Sequence, residues 1–496
     1  VAIGSPGPAI CELAHSVKAR ILTDREKNAS PGSAIIGAPA PAAPTGTAEH
    51  PMAFALFLLY VVFTFLRPVD LFAPDLAHLR PMLWLWLLAF LSAALTAMSR
   101  REIAAPPVYL GLLLAFTVAI GLSLVVNGWA GGAMVAVGDF STSALLLVLA
   151  CLNITSLRRL QLTLTTVVLS MLTVAALAAN AFHTGFRADE LVLRQGTGDE
   201  ADLLSAGFNG VPADDSSGLF LWRVRGLGIL NDPNDLGQAI VMVLPLLLLG
   251  WQQRRLIRNL LFIAAPTALL LYTLYLTHSR GAILGVGAMM LMGLRRVIGT
   301  FKTGLLAAFG GIGVLAVGFG GGREFSTQEA SAGQRIDAWY DGLQMFRGQP
   351  LLGVGYGNFT NFHDLTAHNS FVLCFAELGA IGLLLWVALL LIPFRELGQV
   401  SERSGRGSRE AAVAEALRTS MVGFMACAWF LSRTYQPLLY LLLALCISAA
   451  WSARRAAAHS GDGPWPAVPW AAPTVGAAFA SVLMVYAFIV IERSTG

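Results

Sequence analysis

Three places in the chain set arginine, histidine and polar neighbours directly beside long apolar runs, where charge is costly unless it is paired or used. The first is Arg223-Val224-Arg225-Gly226-Leu227-Gly228, followed by Asn231-Asp232-Pro233-Asn234-Asp235. Asn, Asp and Pro ahead of an apolar run read as a helix N-terminus, whose free N–H groups and dipole favour an anion. Arg225 adds a planar fork able to clamp a phosphate, or else it reaches to the membrane interface while the Asn/Asp cluster only caps the helix. The second is Thr277-His278-Ser279-Arg280-Gly281-Ala282 between two apolar runs. So short a link sends Arg280 between helices, where it either pairs with a protein carboxylate or meets an anionic ligand. His278 reads as a hydrogen-bonded interface residue, because nothing nearby in sequence orients it as a base. The third is His368-Asn369 before the run 370–394, which contains Glu377, Gly379 and Gly382. A neutral imidazole at a helix entrance can accept a proton near neutral pH. Glu377, about 13 Å further along a helix, reads as a partner for one of the arginines, and the glycines read as close helix packing.

The elements that must position these residues are legible in the composition. Of 496 residues, 56% are hydrophobic and 12% charged, against about 25% charged in soluble domains, which excludes a soluble globule. The net charge of +4 is too small and too scattered for nucleic-acid binding, so no nucleic-acid partner is expected. Five cysteines without CxxC or Cys/His spacing indicate neither a disulfide framework nor a zinc site.

Residues 1–51, rich in Ala, Pro, Gly and Ser, read as a disordered N-terminal extension, and Met52 at the first apolar run is a candidate natural start. Residues 52–496 then form a polytopic membrane domain. Thirteen apolar runs follow, near 52–66, 82–98, 107–126, 135–152, 160–182, 235–251, 260–277, 281–294, 303–320, 370–394, 416–431, 436–451 and 473–491. Against the roughly 20 residues a spanning helix needs, they predict an all-α bundle of about 12–13 transmembrane helices. Basic residues concentrate in alternate links (Arg100/Arg101, Arg158/Arg159, Arg254/Arg255/Arg258, Arg295/Arg296/Lys302, Arg395 to Arg409, Arg454/Arg455), which marks those links as cytoplasmic. The two long loops, 183–234 and 321–369, fall on the other side, the periplasm of a bacterium. The first, with Asp189, Glu190, Asp199, Glu200, Asp202, Asp214 and Asp215, reads as a solvated acidic loop. In the second, Ile336, Trp339, Tyr340, Leu343 and Phe346 recur at helical spacing, so it contains an amphipathic helix that packs over the bundle or walls off a cavity.

One succession of motifs resembles the O-antigen ligase and O-antigen polymerase superfamily of bacterial inner-membrane proteins. It runs from Arg225-Gly-Leu-Gly with Pro233-Asn234, through Leu276-Thr-His-Ser-Arg280-Gly-Ala, Gly333-Gln-Arg335 with Trp339, and Pro350-Leu-Leu-Gly353-Val-Gly355-Tyr-Gly357-Asn-Phe, to His368-Asn369. His368, Asn369, nine positions, Gly379 and Gly382 match the ligase histidine pattern. The resemblance covers about residues 220–395. It implies an inverting, metal-independent glycosyltransferase without a cofactor, moving a glycan from undecaprenyl diphosphate to an acceptor at the outer face of the inner membrane. It further implies that Arg225 and Arg280 hold the donor diphosphate, that His368 activates the acceptor hydroxyl, and that Arg335 is a recurrent loop arginine. The acceptor is lipid A-core for a ligase, a growing glycan for an O-antigen or exopolysaccharide polymerase, or a protein for an O-oligosaccharyltransferase. A transporter that only guides an anionic headgroup is the reading from another class, disfavoured by the lack of repeats and by the loop ending in His.

Overall fold

The computed structural model describes residues 51–495 apart from 101–105, 197–209, 218, 300, 307–325, 406 and 460–464. The expected extension, but for Pro51, lies outside the described residues, as do Asp199, Glu200 and Asp202 of the acidic loop. The protein is mostly α-helical and polytopic, and among the described residues ten helices are long and apolar enough to cross a membrane. Twelve of the thirteen apolar runs are helices: the ten, together with the shorter Pro51–Leu66 and with Arg280–Ile298. The run 303–320 lies mostly outside the described residues.

In chain order the helices are α1 (Pro51–Leu66), α2 (Pro81–Arg100), α3 (Pro107–Val126), α4 (Ala130–Asn153) and α5 (Leu157–Thr184). Then come two strands, β1 (Val192–Gly196) and β2 (Phe220–Val224), and α6 (Pro233–Leu247). The rest are α7 (Leu256–Leu276, with a π turn inside), α8 (Arg280–Ile298), α9 (Ser326–Gly348), α10 (Ser370–Arg403), α11 (Arg409–Ala428), α12 (Pro437–His459) and α13 (Ala471–Thr495). Proline opens α1, α2, α3, α6 and α12, where its missing N–H would have had no intrahelical partner. Polar N-caps open others: Ser279 Oγ accepts from Ala282 N–H, and Asn369 Oδ1 accepts from Phe371 and Val372 N–H.

Helix α12 is the centre of the bundle, with 83% of its apolar window buried, whereas α2 at the rim has 11%. Tyr109, Phe116, Phe140, Phe375, Trp386, Phe424 and Tyr440 fill the space between helices. The first long loop is more than a solvated acidic connection, because β1 and β2 pair antiparallel, Val192 opposite Val224. Alternation within these five-residue strands is too brief to stand out beside the apolar runs.

Helix α10 spans 34 residues, about 51 Å at 1.5 Å per residue, but it is broken at Gly379 (φ 65, ψ −162). The segment 350–355 lies against the break and takes up the backbone groups it frees. Ala380 N–H donates to Pro350 O (2.8 Å) and Ile381 N–H to Leu351 O (3.2 Å), while Val354 and Gly355 N–H donate to Ala376 and Glu377 O (2.9 and 3.0 Å). Backbone polar groups at membrane depth require such partners. Gly353 (φ 64) and Gly379 are therefore needed for a backbone-to-backbone approach, since a Cβ on either would collide with the opposing main chain. This corrects the helix-packing reading of Gly379.

At the end of the bundle where α8, α10 and α12 finish, here the lower end, arginines are neutralised. Glu415 Oε1 and Oε2 pair with Arg295 and Arg418 (3.3 Å each), and Glu396 pairs with Arg454 (2.7 Å) while accepting the Tyr109 O–H (2.5 Å).

Candidate active site at the upper end of the bundle

The upper end gathers the starts of α6, α8 and α10, the link 429–436 and the first described turns of α9. The starts of α6 and α8 lie side by side, since a Cβ at Gly237 would come within 2.9 Å of the Ala282 Cβ. Two histidines enter this region in the same way. His278 (φ 48) and His368 (φ 47) are left-handed and directly precede the N-caps Ser279 and Asn369. Histidine is among the few non-glycine residues that tolerate that region, and here it turns each loop into its helix.

His368 is half-buried. Burial lowers its pKa first, the positive charges of Arg335 and Arg433 lower it further, and Asp232 opposes them. The imidazole is thereby kept neutral and able to accept a proton. His278 is lowered by burial and then by Arg223. Arg335, on α9, is disfavoured as a cation by burial and then by the charges of Arg280 and Arg223. A guanidinium does not give up its proton under such stress, so Arg335 stays a partly buried cation, a state that an anion beside it would favour.

The surrounding hydrogen bonds place these groups. Arg223 Nε donates to Thr277 O (2.9 Å) and its Nη2 to Asn234 Oδ1 (3.1 Å), tying β2 to the α7–α8 link and to the start of α6. Burial lowers the Arg223 pKa, and Asp232 works in the other direction. Arg433 pairs through Nε with Asp235, and its N–H donates to Ser370 Oγ (2.8 Å). Ser370 Oγ–H in turn donates to Leu431 O (2.6 Å) and Thr434 Oγ1–H to Ser370 O (2.7 Å), strapping the link to the start of α10 beside His368. Trp339 of α9 donates from Nε1 to Ala367 O (3.0 Å), which fixes the amphipathic helix against the residue before His368.

Arg225 sits differently from Arg223. Its Nε and Nη2 donate to Glu190 O (3.0 Å) and Asp189 O (3.1 Å), and its N–H to Leu191 O (2.8 Å), so it closes the base of the hairpin. Arg280 is the exposed first residue of α8. Glu377 is buried and does not serve the arginines as expected: it accepts the Tyr435 O–H at Oε2 (2.9 Å) and the Phe359 N–H at Oε1 (3.4 Å). It thereby holds the Gly357–Phe359 turn and the link after α11 to the broken helix. Among the described residues, no three His, Cys, Asp or Glu side chains come together as metal ligands would.

The sequence places Arg223 and Asp235 in the first cluster without giving either a role, and Arg433 stands outside all three clusters. The signal for Arg433 was present, an arginine in the short link Ser432-Arg433-Thr434-Tyr435-Gln436 between two apolar runs, the same kind of signal that picked out Arg280. Arg223 and Arg225 differ by two positions on one ribbon, and only the fold tells which one turns to the α6 and α8 starts.

A polytopic helical bundle with a broken helix thus collects arginines and a histidine of lowered pKa at one end. Residues 265–387 match the family described as O-antigen ligase, so that part of the chain is similar to that family. The matched stretch includes Arg280, Arg335, His368, Glu377 and Gly379, while Arg223, Arg225 and Arg433 lie outside it. No curated protein matches the chain.

Proposed function

We propose that the upper end is the active site of an inverting glycan transfer from undecaprenyl diphosphate to an acceptor hydroxyl. In this reading the upper end faces the periplasm of a bacterial inner membrane, which the alternation of basic links supports. Arg280, Arg335 and Arg223 hold the donor diphosphate, with Arg225 bracing the hairpin beside them and able to meet the donor from outside. His368 takes the proton as the acceptor oxygen attacks the anomeric carbon. The bond from that carbon to the diphosphate oxygen breaks, and the diphosphate leaves with the electron pair. Fixed guanidinium groups stabilise the negative charge that grows on the leaving group, with no metal or other cofactor in the step. The hydroxyl belongs to lipid A-core, a growing glycan or a protein.

The observation that carries this reading is the meeting of the α6, α8 and α10 starts, tied together by Arg223 and Arg433, at His368, whose pKa is lowered by burial and then by Arg335 and Arg433. The test is purified protein in lipid nanodiscs with an undecaprenyl-diphosphate glycan and each acceptor class in turn. Glycan should appear on one acceptor with release of undecaprenyl diphosphate. A donor left intact with every acceptor, by folded protein, would defeat the reading.

A further inference from the structure

A second pair of arginines lies in the groove between α9 and α13. Tyr340, Arg347, Tyr486, Ile489, Arg493 and Ser494 help to line a cavity of about 270 Å³ there. At about 100° per residue, Tyr340, Gln344 and Arg347 lie roughly 120–180° around α9 from Arg335. The helix therefore separates this groove from the site above, and Trp339, packed on Phe488 of α13 (5.9 Å), seals the junction.

The Arg493 guanidinium lies over the Tyr340 ring, 3.6 Å from its centroid, which fixes it at the groove mouth. Arg347 is exposed in the last turn of α9. Among the described residues neither arginine has a carboxylate within ion-pair distance. Each stands in the last turn of its helix, where the dipole contributes about −0.5 of a charge.

The position selects a lipid. The apolar span of α13 ends at Ser494, so Arg493 stands at headgroup level. Below it Phe479, Leu483, Tyr486 and Val490 are exposed (64%, 48%, 51% and 46%) at helical spacing, forming one apolar stripe that runs down from the groove. We propose that the groove binds the phosphodiester headgroup of an anionic membrane lipid, with its chains lying along that stripe. Basic pockets between transmembrane helices recognise such headgroups by fixed charge, and a guanidinium fork fits phosphate oxygens.

The test is native mass spectrometry of the full chain in detergent, titrated with phosphatidylglycerol or phosphatidylcholine, alone and with millimolar inorganic phosphate. Phosphatidylglycerol should bind in preference to phosphatidylcholine, inorganic phosphate should not displace it, and Arg347→Ala/Arg493→Ala should weaken it at least about tenfold. Should the double variant fail to fold, Arg347→Gln and Arg493→Gln, tested singly, should each weaken it several-fold. Unchanged phosphatidylglycerol binding in these variants, or equal binding of phosphatidylcholine, would overturn the proposal. Displacement of the lipid by inorganic phosphate would assign the arginines to a free anion and overturn it as well.

Discussion

The two ends of the bundle use the same residue type for different purposes. At the lower end Arg295, Arg418 and Arg454 are in direct ion pairs with Glu415 and Glu396, and Tyr109 completes the second pair. At the upper end Arg433 is also paired, with Asp235, but Arg223 donates to neutral acceptors, Thr277 O and Asn234 Oδ1, and Arg335 lies near Arg280 and Arg223. Two of the four, Arg335 and Arg223, are disfavoured as cations, first by burial. An arginine in a closed ion pair fastens helices together; a partly buried arginine near other arginines, as we propose for Arg335, favours an anion.

Breaking the two ends should produce different losses. The largest is at His368. General-base assistance contributes about 10²–10⁴-fold, so His368→Ala should slow single-turnover transfer by about that factor while donor affinity stays near that of the parent. His368→Gln should do no better, because an amide cannot take up the proton. A variant that transfers within a few-fold of the parent would remove the base from the account.

At the lower end the loss should be of stability. Arg454→Ala leaves buried Glu396 with the Tyr109 hydroxyl alone, and breaking such a pair costs about 3 kcal/mol or more. Thermal or denaturant unfolding should reveal this, and transfer per folded molecule should survive. Loss of turnover without loss of stability would place the lower pair in the chemistry and dissolve the contrast.

A smaller effect separates the two arginines of the hairpin. Arg223→Ala should weaken donor binding about tenfold, whereas Arg225→Ala, which frees two loop carbonyls, should weaken it by less than about threefold. Donor titration of both variants checks the order, and the reverse order would restore Arg225 as the principal clamp.

The subtlest effect concerns pH. As the proposed base His368 must be neutral, and its pKa is lowered by burial, Arg335 and Arg433. The acid limb of kcat/KM should therefore lie below the ordinary histidine value of about 6.5. Arg335→Gln removes one of the cations that hold the value down, so the limb should move to higher pH. A limb that does not move in the pH–rate profile would show that the titrating group is not His368.

Hydropathy made the bundle legible because a spanning helix must be both long and apolar, and twelve runs from Pro51–Leu66 to Ala471–Thr495 are helices. His368 and Arg280 were legible because they interrupt that pattern at helix entrances. The break at Gly379 was not, because it depends on the segment 350–355 lying alongside, and pairing between distant backbones leaves no local periodicity. The partners of Glu377 were hidden for the same reason. Tyr435 is 58 positions away and is brought in only by the packing of the link after α11 on α10.

The central claim is that positive charge at the upper end awaits a diphosphate. The most direct measurement is the affinity of undecaprenyl diphosphate for the parent, Arg335→Ala and Arg454→Ala proteins in identical nanodiscs. Losing a hydrogen bond to a charged group is worth about 1.5–3 kcal/mol, so Arg335→Ala should bind at least about tenfold more weakly. Arg454→Ala, though less stable, should bind within about twofold of the parent, since it meets only Glu396 and its neighbours. Equal affinity for all three proteins, or equal losses in both variants, would contradict the account.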